Sequence, residues 1–333
     1  MRRIGVAVIG LGNASVPYAK CLDDLRDRVD FRWAVARSEA RLAPIAAAHG
    51  CQVTTDLGRA LNDPTVRAVF VLAPPNVHLE LCEAAFAAGK HVLCEKPLEV
   101  SVGRAERLVA AGRTADRRMA VMLQLRFRRA SLRMQEILRA GDLGPVQAAS
   151  MSVPWWRPQA YFDEPGRGTL WRDGGGVLIT QAIHTIDLFR SLVGISGVTA
   201  SQVATTGLHR MEAEDYAAAL VRLGNGAPGT ILATVAAYPG TSETIQIIGA
   251  KGTARMEAGN LRISWLDGRE EVLEDAGGSG GGANLMGFSH EPHKALMTDF
   301  LDAIDTGRDP IVTGEDALAT QRVIAEIISK GTK

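Results

Sequence analysis

Residues His91 to Pro97 (HVLCEKP) set a carboxylate and an amine where an apolar run stops. Val92, Leu93 and Cys94 show no polar alternation, the pattern of a strand covered on both faces by helices. In an open α/β sheet, ligands sit outside the carboxyl ends of the strands, at the crevice where strand order reverses. Glu95 and Lys96 would stand on that rim. A lysine there can be held against a reacting carbonyl or alcohol and tuned by its neighbours; the plainer alternative is a surface lysine in a strand-to-helix loop. A second set, Thr180, His184 and Asp187, falls at i, i+4 and i+7 of a helical pattern running from Val177 to Val193, which is one face. Histidine titrates near working pH and suits general-base work, while a histidine held by Asp187 for packing is the competing reading.

The elements that must position the first set form a βα series. Ile4 to Ile9 is apolar and β-branched, Gly10-Leu11-Gly12-Asn13-Ala14-Ser15 follows, and a helical pattern continues through Tyr18, Leu22 and Leu25. In that order GxGxx(G/A) means dinucleotide binding: Gly10 makes the turn, Gly12 lets backbone approach the pyrophosphate, and the helix N-terminus faces its charge. Ser15 stands where a third glycine would be. The second strand, Phe31 to Ala36, ends without a carboxylate, in Arg37 and Ser38 with Arg41 one turn on. NAD sites place an acidic residue here and NADP sites an arginine, so the balance favours NADP over NAD, through charge-assisted hydrogen bonds to a 2′-phosphate. Ala68 to Leu72 exits through Ala73-Pro74-Pro75-Asn76-Val77-His78, with Asn76 read as the N-cap of a helix to Ala88 closed by Gly89. A helix from Val102 to Thr114 and a strand from Met119 to Leu123 complete a six-strand parallel unit over residues 1–123.

After Gln124 the pattern changes. A helix (Ala130 to Ala140) and a strand (Val146 to Val153) lead into a loop holding Trp155, Trp156, Arg157, Tyr161, Phe162, Trp171 and Arg172. A loop of this length is usually functional; its aromatic residues could line a pocket for a polar ring or pack the loop onto the sheet. Beyond Val198 short alternating segments continue to Leu273, a large and mostly antiparallel sheet. Gly277 to Gly282 reads as a mobile loop. Helices from Pro292 to Thr306 and from Glu315 to Lys330 close the chain. The expected division is 1–123 and 124–333, with the last helix, 315–330, packed back on the first domain.

The totals narrow the function classes. The chain has 333 residues, 46% of them hydrophobic, enough for two cores. Its 37 basic residues balance 37 acidic ones, so no net field recommends nucleic acid or an anionic membrane as partner. Cys21, Cys51, Cys82 and Cys94 lack metal-ligand spacing and sit in apolar surroundings, which argues for reduced thiols in the cytoplasm and against a metal site. No apolar run approaches the roughly 20 residues needed to cross a bilayer.

Taken together, the Gly10 to Ser15 turn, the Pro74 to His78 exit, Glu95-Lys96-Pro97 and the run GGGVLITQAIHTIDLF from Gly174 to Phe189 resemble the glucose-fructose oxidoreductase, inositol dehydrogenase and rhizopine-catabolism (Gfo/Idh/MocA) family along essentially the whole chain. The resemblance implies an NAD(P)-dependent oxidoreductase of sugars, cyclitols or related polyols. Its fold would be a Rossmann domain followed by an α+β domain whose open sheet makes a homodimer or homotetramer. It also implies that Lys96 and His184 act at the substrate, that Glu95 holds the cofactor end of the cleft, and that the Lys96–Pro97 bond is cis. Gly12, Asn13, Ala14, Ala73, Pro74, Asn76 and His78 match positions along the dinucleotide. Trp171-Arg172 matches a WR pair near the nicotinamide, and Gln124 is counted with the cofactor groups. Trp156, Tyr161, Arg172 and Thr180 are counted with Lys96 and His184 on the substrate side. One position departs from the family pattern: Thr180 stands where an aspartate is usual, which leaves His184 as the base and gives Thr180 a hydrogen-bonding part in the catalytic set. Two other readings compete, a glycoside hydrolase working by transient oxidation with bound NAD and a nucleotide-binding regulator without catalysis.

Overall fold

The computed structural model describes residues 3–12, 15–274 and 289–332. They form two compact units, Met1–Leu123 with His290–Leu318, and Gln124–Ser289 with Ala319–Lys333. Where the sequence pattern put everything beyond residue 123 into one domain, the helix Glu291–Thr306 groups with the first unit. Its apolar face explains this: Phe300 meets Phe70 edge-on at 6.3 Å and His293 meets Tyr18 at 6.3 Å. The last helix, Gly314–Lys330, is divided between the two units.

In the first unit six parallel strands, β1 (Ile4–Ile9), β2 (Val29–Val35), β3 (Gln52–Thr54), β4 (Val66–Val71), β5 (His91–Cys94) and β6 (Met119–Val121), lie in the order β3-β2-β1-β4-β5-β6. This is the doubly wound order, with its switch point between β1 and β4. β1 is buried at every residue and β4 at all but Arg67, as strands between two helical layers must be. β3 was not singled out by its periodicity, because three residues are too few to show one. The helix His78–Ala87 ends as expected, with Gly89 at φ 71° and the Gly89 and Lys90 amides donating to the Phe86 and Ala85 carbonyls. Its start differs. A 3-10 turn over Pro75–Val77 precedes it, Val77 is the capping residue, and Asn76 sits inside the turn. Proline fits the first position of such a turn, since it has no amide to leave unsatisfied.

The second unit is a nine-strand sheet built from β7 (Val146–Pro154), β8 (Ile195–Ala204), β9 (Tyr216–Leu223), β10 (Pro228–Thr234), β11 (Thr244–Gly249), β12 (Gly252–Glu257), β13 (Asn260–Trp265), β14 (Glu270–Leu273) and β15 (Gly331–Thr332). The order is β14-β13-β12-β11-β7-β10-β9-β8-β15, antiparallel except where β10 meets β7 and β15 meets β8. One face packs on the helices Arg129–Ala140 and Ile183–Val193, and burial alternates accordingly: Ala217, Ala219, Val221 and Leu223 point in while Leu220 and Arg222 point out. The expected loop at Gly277 to Gly282 lies outside the described residues. Among the described residues no helix is long and apolar enough to cross a membrane, and the four cysteines are buried free thiols.

At the amino end of β5, His91 accepts a hydrogen bond from the Arg118 amide through Nδ1 (2.9 Å). Burial, reinforced by Arg117, Arg67 and Arg118, pushes its pKa from 6.5 down to about 4. Because the folded value is depressed, the fold gains stability from neutral His91 above pH 6.5 and loses it as pH falls toward 4. Urea unfolding of the His91→Gln variant should therefore show a shallower acid loss between those values than the wild type. Parallel curves would contradict this account.

Candidate active site

Gly10 turns the chain out of β1 at φ 95°, and a Cβ added there would lie 2.7 Å from the Ala73 amide nitrogen. Only glycine allows the β1 and β4 exits to come so close. The Gly10 amide donates to the Val35 carbonyl and the Leu72 amide to the Ile9 carbonyl, which ties three strand ends into one rim. A Cβ on Gly12 would meet nothing within 4 Å, so the backbone there is bare. Ser15 donates its hydroxyl to the Gly12 carbonyl at 2.7 Å, closing the turn that a third glycine would otherwise relax. Asn13 and Ala14 lie outside the described residues. Arg37, Ser38 and Arg41 are exposed beyond the tip of β2.

His78 has a different place from the one its motif suggested. It is 0% exposed, with Nε2 2.7 Å from the Ala73 carbonyl and Nδ1 3.1 Å from the Pro97 carbonyl and 3.3 Å from the Cys94 thiol. It fastens the β4 exit to the β5 exit from below, where a side chain cannot reach a ligand. Burial lowers its pKa, opposed by the Ala73, Leu98 and Pro97 carbonyls. Ala73, Pro74 and Asn76 remain half-buried on the rim.

At the end of β5, Glu95 uses both carboxylate oxygens. Oε1 accepts from the buried Tyr18 hydroxyl at 2.8 Å and Oε2 accepts from the Lys96 amide at 3.0 Å. Burial raises the Glu95 carboxyl above the usual range, opposed by the Lys96 charge and the Tyr18 hydrogen bond. Burial, with Glu95 alongside, raises Tyr18 well above an ordinary phenol, which keeps it a donor. The Lys96–Pro97 bond is cis and Lys96 itself is half-buried. Glu99, fully buried, accepts from the Leu79 and Val100 amides and pairs with Arg104 at 2.7 Å, anchoring the far side of the same loop.

In the second unit the expected single helix is two. Val177–Thr180 ends at Gln181, and Ile183–Val193 starts after Ala182. The Ala182 amide reaches back five residues to the Val177 carbonyl, a π-type turn of the kind found at functional sites. Thr180 and His184 therefore do not share a regular helical face. The cause is local: Thr180 bonds back to the Gly176 carbonyl through both its amide and its hydroxyl, and such back-bonding bends helices. Asp187 is 0% exposed and holds Arg126 in a two-pronged pair at 2.7 and 2.6 Å, with the Thr320 hydroxyl donating at 2.8 Å. It fixes its helix to the turn Gln124–Phe127 and to the last helix, and half-buried Gln124 opens that turn.

The glycine run before Thr180 has a steric cause. A Cβ on Gly176 would sit 1.8 Å from the Glu214 carbonyl oxygen. Buried Glu214 accepts from the Gly176 and Leu178 amides at 3.1 and 3.0 Å and so caps the short helix. Burial raises its carboxyl above the usual range. Asp215 beside it takes hydrogen bonds from the Thr206 amide and hydroxyl and pairs with His209 at 2.7 Å. Trp156 stacks edge-on to Tyr238 at 5.5 Å and lies 5.8 Å from His209. The Tyr161 ring lies under the Arg167 guanidinium at 5.0 Å. Arg172 pairs with buried Asp173 at 3.2 Å, and Trp171 is 64% exposed. Part of the aromatic loop is thus packing, as one of its two readings held.

Sequence reasoning did not find Tyr18, Arg126, Gln181, His209, Glu214 or Asp215. Glu214 and Asp215 directly precede a strand, and nothing local in the sequence marks them as buried. Gln181 did carry a signal, lying between Thr180 and His184.

Residues 4–123 match the model of an oxidoreductase family with an NAD-binding Rossmann fold, and residues 131–255 match the GFO/IDH/MocA C-terminal domain. The chain is 27% identical over 321 residues to myo-inositol 2-dehydrogenase of Thermotoga maritima, covering 93% of this chain and 91% of that protein. It is 26% identical over 312 residues to 1,5-anhydro-D-fructose reductase of Ensifer adhaerens, covering 89% and 88%. Among solved structures, the WlbA dehydrogenase from Bordetella pertussis in complex with NADH and UDP-GlcNAcA superposes with a TM-score of 0.86 at 26% identity, covering 99% and 96% of the two chains.

Removing one partner of a buried ion pair leaves the other charge without compensation, at a cost of about 3–5 kcal/mol. Asp187→Ala should lower stability by that order in urea unfolding, and an added Arg126→Met should recover much of it. A single variant as stable as the wild type would refute the assigned role.

Proposed function

The chain belongs to the Gfo/Idh/MocA family of NAD-binding oxidoreductases, and from that premise we propose that it interconverts a secondary alcohol and its ketone on a sugar, sugar derivative or cyclitol. The observation that carries this reading is Lys96, held through Glu95 at the carboxyl end of β5 on the rim that Gly10 and Ala73 shape. The relatives named above act, by their names, on inositol and anhydrofructose.

A dinucleotide fits the turn from Gly10 to Gly12, where Gly10 leaves no room for a side chain beside the β4 exit and a side chain at the open Gly12 would stand between backbone and phosphate. When bound, the nicotinamide supplies the acceptor or donor of hydride. The chain's own residues do the rest. Oxidising an alcohol frees a proton from oxygen as hydride leaves carbon; His184 takes that proton, and Lys96, as a cation, stabilises the developing alkoxide. Ketone reduction runs through the same groups in reverse. Thr180 hydrogen-bonds a substrate oxygen, while Trp156, Tyr161 and Arg172 line the substrate side. Trp171, Arg172 and Gln124 serve the cofactor. Arg37, Ser38 and Arg41, exposed beyond β2, support a preference for NADP through its 2′-phosphate. The open face of the nine-strand sheet, with Leu220 and Ile248 exposed, supports assembly of two or more copies through that face.

The reading is tested with a panel of sugars, sugar acids, lactones and inositols screened separately with NAD+ and NADP+, where at least one polyol should reduce the cofactor. For that substrate, Lys96→Ala should cut kcat by roughly 10²- to 10⁴-fold, the range for positioned acid-base groups, with cofactor affinity kept. Normal turnover would sink the assignment. Replacing Arg37 and Arg41 by alanine should weaken NADP binding about ten- to a hundredfold in a fluorescence titration and spare NAD, as expected for lost charge-assisted bonds. Equal loss for both cofactors would exclude a 2′-phosphate site.

A further inference from the structure

Four residues close a hydrogen-bonded circuit at the start of the aromatic loop. The Val235 amide donates to the Asp215 carbonyl at 3.0 Å, and the Arg157 amide donates to the Val235 carbonyl at 2.9 Å. The Arg157 carbonyl lies 2.8 Å from His209 Nε2, and His209 Nδ1 lies 2.7 Å from the Asp215 carboxylate, where the circuit ends. The His209 and Asp215 side chains are fully buried. Asp215 is held in turn by the amide and hydroxyl of Thr206 and, at its carbonyl, by the Thr234 hydroxyl.

A histidine against a buried aspartate has the look of a general base and the group that orients it. Here the geometry excludes that use. A backbone carbonyl can only accept, so Nε2 donates to Arg157, while Nδ1 faces the carboxylate; neither nitrogen is left for a substrate. What the imidazole does hold is the wall of the loop. Trp156, the residue before Arg157, has its ring 5.8 Å from the imidazole, and Phe162 meets the imidazole edge-on at 4.9 Å. The other ring beside Trp156, Tyr238, is 79% exposed, so the buried imidazole is the support that tight packing keeps in place. We propose that His209, oriented by Asp215, is a positioning residue that sets where Trp156 stands in the substrate wall, and through it which ring the enzyme accepts. The proposal rests on the reading that Trp156 lines the substrate side. A flat aromatic ring recognises the C–H face of a sugar or cyclitol by close contact, and that contact weakens as soon as the ring shifts.

Two variants divide the circuit. In His209→Asn the amide nitrogen falls near the place of Nδ1, so Asp215 stays paired while the bond to Arg157 and the ring beside Trp156 are lost. In Asp215→Asn the side-chain NH2 donates to Nδ1 of a neutral imidazole whose Nε2–H still donates to Arg157, so the circuit stays closed. The enzyme is labelled with fluorotryptophan, and the Trp156 resonance is identified by its loss in Trp156→Phe. Without substrate, that fluorine resonance should move in His209→Asn and stay in place in Asp215→Asn. For the panel compound of highest kcat/KM, His209→Asn should raise KM about three- to tenfold, the worth of one aromatic contact, with little change in kcat or cofactor affinity. Asp215→Asn, the conservative change, should keep the wild-type KM. In a Trp156→Ala background, His209→Asn should add nothing to the KM that Trp156→Ala alone produces, since a residue acting through another has no separate effect. A resonance that ignores His209→Asn overturns the circuit, and so does an Asp215→Asn variant that behaves like His209→Asn. Loss of kcat at unchanged KM marks a merely structural part and contradicts the proposal. If the resonance moves but Trp156→Ala keeps the wild-type KM, Trp156 does not face the substrate, and the proposal is overturned at that step while the circuit stands.

Discussion

The rim of the first unit depends on a carboxylate that has no oxygen to spare. Glu95 accepts from Tyr18 on one side and from the Lys96 amide on the other. Withdrawing a carboxylate from water is costly unless hydrogen bonds replace the water, so one bond to each oxygen of half-buried Glu95 allows a charged group to end a strand as apolar as β5. It also sets the direction in which the chain leaves the sheet. His78 and Glu99 then fix the loop from beneath, one through backbone carbonyls and the other through backbone amides. A flexible lysine gains precision by rising from such a base, because its backbone has been fixed before any ligand arrives.

The second unit solves a related problem with the opposite means. Around Thr180 a regular helix is given up: glycine at 176 lets Glu214 cap the short helix, and the π-type turn at Ala182 starts the next one. Beyond the break, Asp187 pins the longer helix through Arg126 and Thr320. Glu214 before the break and the Asp187 pair after it hold the irregular step between Thr180 and the helix that carries His184 without leaving it loose. Irregular backbone retained at such a cost is characteristic of places where side-chain aim matters more than helical regularity.

Much of this could be read in advance, and the failures have physical causes. The βα alternation, the Gly10 turn and the alternating strands of the second unit are local patterns, and the chain follows them. The resemblance also anticipated the cis bond at Lys96. The start of the helix at His78 was misplaced because two prolines and an asparagine fit both an N-cap and a 3-10 turn. His78 itself was placed by motif along the cofactor, whereas burial turns it toward backbone. The helix over Val177 to Val193 reads as continuous because a threonine hydroxyl bonding back to its own turn leaves no trace in hydrophobic periodicity. Glu214 and Asp215 were invisible for the reason that Asp187 was visible: Asp187 lies on a periodic helix next to a histidine, whereas the other two precede a strand and are buried only by the tertiary fold.

The central claim is that hydride passes between a polyol carbon and a nicotinamide held by this chain. The most direct measurement follows the label. The wild-type enzyme is incubated with polyols deuterated at the ring carbons and with oxidised cofactor, and the reduced cofactor is examined by NMR. The account predicts deuterium at nicotinamide C4 in a single stereochemical position. Product formed with the deuterium retained on carbon or lost to water, and none at C4, would contradict it.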